Sequence, residues 1–339
     1  MKRTNRIAIV GLEDGPESCA GPGLRAALHA SSLVAFACRA AESGAFRPGS
    51  GDAFELVGEP WRDAAEFERN LLDAVAAHRV SVVIPGSARV AAALAPLRPK
   101  LARAGAELLA ASGASMATLA PSRLASTCRR ARIHSIEGAT IPPVATVETM
   151  LAALAWPVTL FGGMGLRRRA FDALEALRQT RALRELGADA VTMSSPNVRS
   201  LQETCVVIGP RGALVAACSL RVLEDDPRLR PWLGVTIDDE RLVESACKLA
   251  KAAKLTGPLT VTFVATEHGP LALDAQAAFP VWIEACLREG PNLPELAVAA
   301  WLGKKLPRPR HVAAGTLFSQ TAHDIVVDPN SAAALALLR

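Results

Sequence analysis

The chain has 339 residues, half of them apolar and 21% charged, a globular composition long enough for two or three domains with substantial cores. A formal charge of +5 permits an anionic partner, but the basic runs at 129–132, 167–169 and 304–310 are short and carry no interleaved aromatics, so no nucleic-acid groove is expected. Seven cysteines without a C-x-x-C pair read as free thiols of a reducing cytoplasm, and no apolar run is long enough to span a bilayer, so no membrane partner is expected.

In chain order, Ile7–Val10 is a short apolar run ending in Gly11, Leu24–Ala30 reads as helix, and Leu33–Ala37 is a second buried strand. Phe67, Leu71, Leu72 and Val75 give Ala64–Ala77 helical spacing, leading into the apolar run Val80–Ile84 and the turn Pro85-Gly86. Ala88–Ala104 is a helix interrupted at Pro96 and Pro99, and Glu107–Ala110 is a further strand. Strands alternating with helices predict a parallel, Rossmann-like sheet over residues 1–115. Gly21-Pro22-Gly23-Leu24-Arg25-Ala26 matches a dinucleotide fingerprint in letters only: it lies ten residues beyond Val10, and Pro22 removes an amide from the turn. Ligands of an open α/β sheet approach the carboxyl ends of its strands, where Gly11, Glu13, Asp14 and Gly15 lie.

The middle changes character. Pro121–Arg132 reads as helix, Ile141-Pro142-Pro143 as extended chain, Glu148–Leu154 as helix and Pro157–Phe161 as strand. Gly162, Gly163, Met164 and Gly165 then make a turn before the basic residues Arg167–Arg169, and Phe171–Leu186 is a long amphipathic helix. From Ala190 onward hairpins dominate: Cys205–Ile208 and Leu214–Leu220 flank Gly209-Pro210-Arg211-Gly212, and Leu259–Val264 and Leu271–Ala275 flank Glu267-His268-Gly269. Leu242–Lys254, Val281–Leu287 and Leu296–Leu302 read as helices; residues 307–339 are proline-punctuated and poorly patterned, a peripheral extension.

Certain phrases carry a family likeness. Trp156-Pro157-Val158 follows a proline-flanked extended segment and a short helix; Trp232 to Ile237 forms a turn and strand entry. Gly257-Pro258 opens a strand whose hairpin leads into Asp274-Ala275-Gln276-Ala277-Ala278-Phe279-Pro280, then Trp282, then Gly290-Pro291-Asn292-Leu293-Pro294. Over about 300 residues this resembles the ATP-grasp superfamily, whose closing motif is usually written E-I-N-P-R-F-P. The resemblance implies a Rossmann-like N-terminal domain (1–115), an ATP-grasp lid (116–189), an antiparallel-sheet ATP-grasp domain (190–306) and an extension (307–339).

It also implies chemistry that the residues only partly supply. Two magnesium ions holding a triphosphate need hard oxygen ligands, which the family provides as two acids on adjacent strands and an asparagine. Here Asp274 and Gln276 stand at two of these metal positions and Thr262 at the third; Ala278 replaces the motif's arginine. Phe161 stands where the lid strand carries a phosphate-binding lysine, and no lysine precedes the helix at Arg123. The glycines at 162, 163 and 165 retain amides able to cradle an anion, with Arg167 as substitute charge, or are an ordinary hairpin turn. The hinge text Val191–Asn197 lacks the family's acid. Glu203 matches the acid that binds ribose and Arg221 a basic residue facing phosphate or substrate, roles that a strand-end surface residue would equally explain.

The expectation is therefore an ATP-grasp fold with degraded nucleotide and magnesium sites: a pseudoenzyme scaffold that binds a small molecule, a peptide or an active ATP-grasp paralogue. The alternative is a divergent ATP-dependent carboxylate–amine ligase forming an acylphosphate. ATP and Mg2+ are cofactors only in the second reading. A homodimer is expected by resemblance.

Overall fold

A computed structural model describes residues 6–12, 20–28, 32–39, 53–136, 138–151, 156–188, 190–194, 201–226, 230–288, 290–306 and 314–320. Its first part alternates β1 (Arg6–Val10), α1 (Gly21–Ala27), β2 (Ser32–Ala37), β3 (Ala53–Leu56), α2 (Ala64–Ala77), β4 (Val80–Pro85), α3 (Ala88–Leu94), α4 (Arg98–Arg103) and β5 (Glu107–Leu108). The strands form one parallel sheet in the order β3-β2-β1-β4-β5. Such a sheet is covered on both faces, which is why β1 and β4 are nearly unbroken apolar runs. Asp63 caps α2 by accepting from the Ala65 and Glu66 amides, and Ser87 caps α3 by accepting from Val90. Between β4 and α3 the chain runs against β1 so closely that a Cβ on Gly86 would lie 2.0 Å from the Gly11 carbonyl oxygen. Gly11 is thus in place at the strand end, while Glu13, Asp14 and Gly15 lie outside the described residues.

The short α5 (Gly113–Thr118) and α6 (Pro121–Ala131) lead to a second sheet: β6 (Ala139–Ile141), α7 (Val147–Leu151), β7 (Val158–Gly163), β8 (Leu166–Ala170), α8 (Ala173–Glu185) and β9 (Val191–Ser194). It is antiparallel in the order β6-β9-β7-β8 and extends to Ser194; Ser195–Asn197 lie outside the described residues. The remainder builds a third sheet from β10 (Leu201–Ile208), β11 (Leu214–Asp225), β12 (Pro231–Ile237), β13 (Gly257–Thr266) and β14 (Gly269–Gln276), with α9 (Glu240–Ala252) on one face and α10 (Leu293–Trp301) near the other. Its order is β14-β13-β10-β11-β12-β15, the last strand being Leu317–Ser319.

One apolar core joins the first sheet to the third. Ile7, Ile9 and Leu24 pack with Cys205, Val207, Leu220 and Trp282, and α10 closes the cluster through Leu293 and Val298. Trp282 is completely buried. A second cluster, from Leu249 and Leu242 to Val261 and Phe263, fixes α9 against the opposite face of the third sheet. This division sets alternate residues of β10 toward α9 and toward the side where the first and second sheets lie.

Two expectations need correction. Val281–Leu287 is not an α-helix: only Ile283–Cys286 coil, as a single 3₁₀ turn that seats Trp282 in the core beside Pro280. The stretch after 307 is not wholly peripheral, since β15 pairs antiparallel with β12. β3, with one buried residue in four, and α5, with one in six, carry too little periodicity to be seen in advance.

Candidate functional site: a buried arginine between two carboxylates

The third sheet places Glu203, Thr262 and Asp274 side by side. Glu203 of β10 is in register with Thr262 of β13, and Thr262 with Asp274 of β14, so the three lie in one row across adjacent strands. β8 of the second sheet lays Arg167 over that row. The side chains of Arg167, Glu203 and Asp274 are 1%, 3% and 5% exposed.

The guanidinium engages all three neighbours. Nη2 donates to Glu203 Oε1 at 3.2 Å, Nη1 donates to Thr262 Oγ1 at 3.3 Å, and Nε lies 3.3 Å from Asp274 Oδ2. Thr262 passes its own hydroxyl proton on to Glu203 Oε1 at 3.0 Å, and the indole Nε1 of Trp282 donates to Glu203 Oε2 at 2.7 Å. Glu203 thus receives three donors. Asp274 Oδ1 accepts from the Ala275 amide at 2.9 Å. Burial alone would lower the Arg167 pKa, but Glu203 and then Asp274 outweigh it and the net direction is upward. Burial raises Asp274 above the ordinary carboxylate range, with Arg167 pulling the other way. Arg167 is therefore the permanent cation of the group, and Asp274 takes up a proton more readily than an ordinary aspartate.

Phe161 lies beside Arg167, its register partner across the β7–β8 hairpin, and packs on Leu201, Val264 and Leu273. A phenyl ring and a guanidinium together pave the acid row. The hairpin turns at Met164 and Gly165, both at positive φ (53° and 78°), the backbone of a two-residue type I′ turn. The glycines at 162, 163 and 165 are thus parts of a tight hairpin, not of an extended loop. At Gly163 an added Cβ would lie 3.1 Å from Pro121 Cδ, so the hairpin rests against the start of α6.

Between that hairpin, α3, α6 and the end of β14 lies a crevice of about 480 Å³, lined by Ala88, Arg123, Gly163, Met164, Ala275 and Gln276 among others. Gln276 is 4% exposed and its Oε1 has no hydrogen-bond partner. Arg123 is exposed.

Of the residues singled out from sequence, Arg167, Glu203 and Asp274 converge. Gln276 lies two residues along the same strand, and Gly162 and Gly163 line the crevice with it. Arg221 does not join them: it is exposed, and its register partner is Gln202, so strand alternation puts it on the sheet face opposite Glu203. Glu267 sits exposed in the β13–β14 turn. Trp282 and Thr262 were not foreseen as partners of Glu203. The signal was the rule that a buried indole N–H or hydroxyl needs an acceptor.

A magnesium ion needs several oxygen ligands in near-octahedral array. The space between Glu203 and Asp274 is filled by a guanidinium that already supplies the positive charge, so the residues as arranged do not fit the metal. Among the described residues no group of three or more His, Cys, Asp or Glu side chains could hold a metal ion, and no helix is long and apolar enough to cross a membrane.

No protein-family model matches the sequence, and no curated protein matches it. Solved structures do match. Biotin carboxylase from Campylobacter jejuni, a βγ-ATP complex, superposes with a TM-score of 0.64 at 15% identity over 89% of this chain and 72% of that one. An ADP complex of PurK, N5-carboxyaminoimidazole ribonucleotide synthetase, gives 0.64 at 13% identity over 93% and 82%. The biotin carboxylase domain dimer of Hydrogenobacter thermophilus 2-oxoglutarate carboxylase, with MgADP, ADP and bicarbonate, gives 0.66 at 12% identity over 92% and 72%. At these identities what is shared is the fold.

Proposed function

Because the chain has the ATP-grasp fold and its cleft is bridged by its own guanidinium, we propose that it is a pseudoenzyme: a scaffold that binds a small molecule, a peptide or an active ATP-grasp paralogue without transferring phosphate. The supporting observation is the position of Arg167. Its charge stands between Glu203 and Asp274, the two acids best placed for a metal, and Phe161 packs beside it. Removing a nucleotide's counter-ions and adding an internal one leaves a triphosphate with no comparable partner there. In this reading Glu203 and Asp274 are structural, the glycines at 162, 163 and 165 shape a hairpin, and neither ATP nor Mg2+ is a cofactor. The division at residues 115, 189 and 306, a cytoplasmic location and homodimerisation belong to the same proposal. Light scattering that returns a monomer at high micromolar concentration counts against the dimer.

Calorimetric titration with ATP and Mg2+ tests the proposal. The expected result is no metal-dependent binding at micromolar concentrations. Micromolar binding that needs Mg2+ and disappears in Asp274→Ala overturns it.

The second reading, a divergent ATP-dependent carboxylate–amine ligase, is favoured by one observation: Glu203 and Asp274 still share a row. If the hairpin lifts Arg167 away, two carboxylates face the cleft. Under that reading Arg167→Ala binds Mg-ATP more tightly than wild type, and incubation with amine and carboxylate substrates releases phosphate.

A further inference from the structure

The outer face of α9 changes sign along its length. Leu242, Ala246, Leu249 and Ala250 turn the inner face of this 13-residue helix to the third sheet, on the side opposite Glu203. Glu240, Glu244, Cys247 and Lys251 recur at helical spacing and form a single line along the outer face. Asp238 and Asp239 stand ahead of that line, Lys248 beside it and Lys254 just past its end. The first half is acidic and the second basic, with the half-buried Cys247 between them. Arg241 is the exception, and it is held back: its Nε and Nη2 donate to Asp239 at 3.3 and 3.1 Å. Acid first and base last suits the dipole of any helix. The dipole does not account for what lies alongside. A groove of about 380 Å³ follows β11 and the first turns of α9, walled by Leu214, Val215, Ile237 and Val243 and reaching Cys247. Its rim carries Asp238, Asp239, Glu240 and Glu244 and no lysine or arginine. An apolar trough edged only with carboxylates suits side chains with methylene stems and a cationic end. The far half of the same helix presents three of them.

We infer that α9 is the contact of a homodimer in which two copies of the helix lie antiparallel about a two-fold axis. An isologous contact needs a face complementary to itself, and a line acidic at one end and basic at the other meets that need only when reversed. Glu240 then faces the partner's Lys251, and Asp238 the partner's Lys254. Glu244 exchanges its own Lys248, 2.8 Å away in the same helix, for the partner's Lys248. The stems of the partner's lysines lie in the groove over Val243 and Ile237. The axis passes beside Ser245 and Ala246, so the two Cys247 thiols stand close on either side of it. The inference rests on homodimerisation and not on what the Arg167 cleft holds.

Analytical sedimentation of the full chain tests it. A small interface rich in charge predicts a dissociation constant on the order of 10–100 μM at low salt, weakened about fivefold or more at about 0.5 M NaCl. Glu240→Lys with Glu244→Lys makes the line wholly basic, and Lys248→Glu with Lys251→Glu makes it wholly acidic. Each double variant alone is expected to dimerise about tenfold more weakly or worse, since like charges now face each other. An equimolar mixture of the two is expected to recover a heterodimer, because the reversed arrangement then pairs only unlike charges. A short bismaleimide should join two wild-type chains through Cys247, and Cys247→Ser should abolish the link. Alkylation of Cys247 should also slow as protein concentration rises, although it stays the first of the described thiols to react. The cross-link does not depend on the charge variants folding. Association undiminished in both variants, with no link through Cys247, places the interface elsewhere and overturns the inference while homodimerisation stands. Variants that dissociate but do not pair when mixed overturn it too. A chain that stays monomeric up to about 0.5 mM, well above the affinity expected of such an interface, ends this inference and homodimerisation together, and leaves the scaffold reading of the cleft untouched.

Discussion

Arg167 and Glu203 belong to different sheets and meet at 3.2 Å, almost wholly out of water. Their contact ties the second sheet to the third. A buried ion pair is weak evidence for net stability, but removing one partner strands the other charge.

Arg167→Met therefore costs about 3–5 kcal/mol of unfolding free energy, because it leaves Glu203 and Asp274 buried together without a cation. Adding Glu203→Gln and Asp274→Asn to that variant recovers most of the loss. Urea denaturation of the single and triple variants measures both. A single variant as stable as wild type would mean that the charges are not coupled as the geometry implies.

The acid side of the network makes stability depend on pH in an unusual direction. The folded-state pKa of Asp274 is raised, chiefly by burial, with Arg167 opposing. Folding therefore favours the proton: this contribution is fully present below the unfolded aspartate value near about 3.9 and is lost as pH rises through the folded value. Asp274→Asn carries no such titration. Relative to wild type, the variant should gain stability as pH is raised from 4 to 7, as read by paired thermal melts. A difference that moves in the opposite sense would mean Arg167 dominates over burial.

The hairpin turn invites a stabilising change. Met164 occupies a left-handed position that costs an ordinary side chain about 1 kcal/mol, and it is followed by Gly165. Asparagine-glycine is the preferred pair for such a turn. Met164→Asn should raise unfolding free energy by roughly 0.5–1 kcal/mol.

The thiols give a fourth expectation. Cys38, Cys128, Cys205, Cys218 and Cys286 are buried, whereas Cys247 is partly exposed. Burial pushes the Cys128 thiol up to about 11 and that of Cys205 higher still. Iodoacetamide at pH 8 should modify Cys247 first among these six, and the five buried ones only on unfolding, as peptide mapping resolves.

Much of the fold was legible because its signals are local. Ala64–Ala77 has one apolar stripe and a capping aspartate, and the two hairpins of the third sheet carry their own turn residues. Asp274 and Gln276 could be found because they stand in a recognisable phrase. What sequence does not hold is which side chain fills a gap between sheets. Arg167 is one of three adjacent arginines, and strand alternation alone sends Arg167 and Arg169 to the same face while Arg168 points away. Only the packing of β8 over β10 and β14 decides that Arg167 meets Glu203 and Asp274, while Arg169 meets Asp225 at 3.0 Å. Glu203, placed by resemblance as a ribose ligand, stands where β10 aligns it with Thr262, 59 residues away in the chain.

The β12–β15 pairing carries a consequence for biosynthesis. Leu317–Ser319 cover a strand edge whose backbone otherwise presents open donors and acceptors, with Thr236 and Trp232 bonded to the flanking residues Thr316 and Gln320. Roughly eighty residues separate the two strands, so a ribosome exposes β12 well before its cover exists. During that interval the edge is a template for another copy of the same chain, and products cut short near residue 306 would keep it so permanently. Premature termination would then yield sticky, self-associating fragments instead of merely shorter monomers.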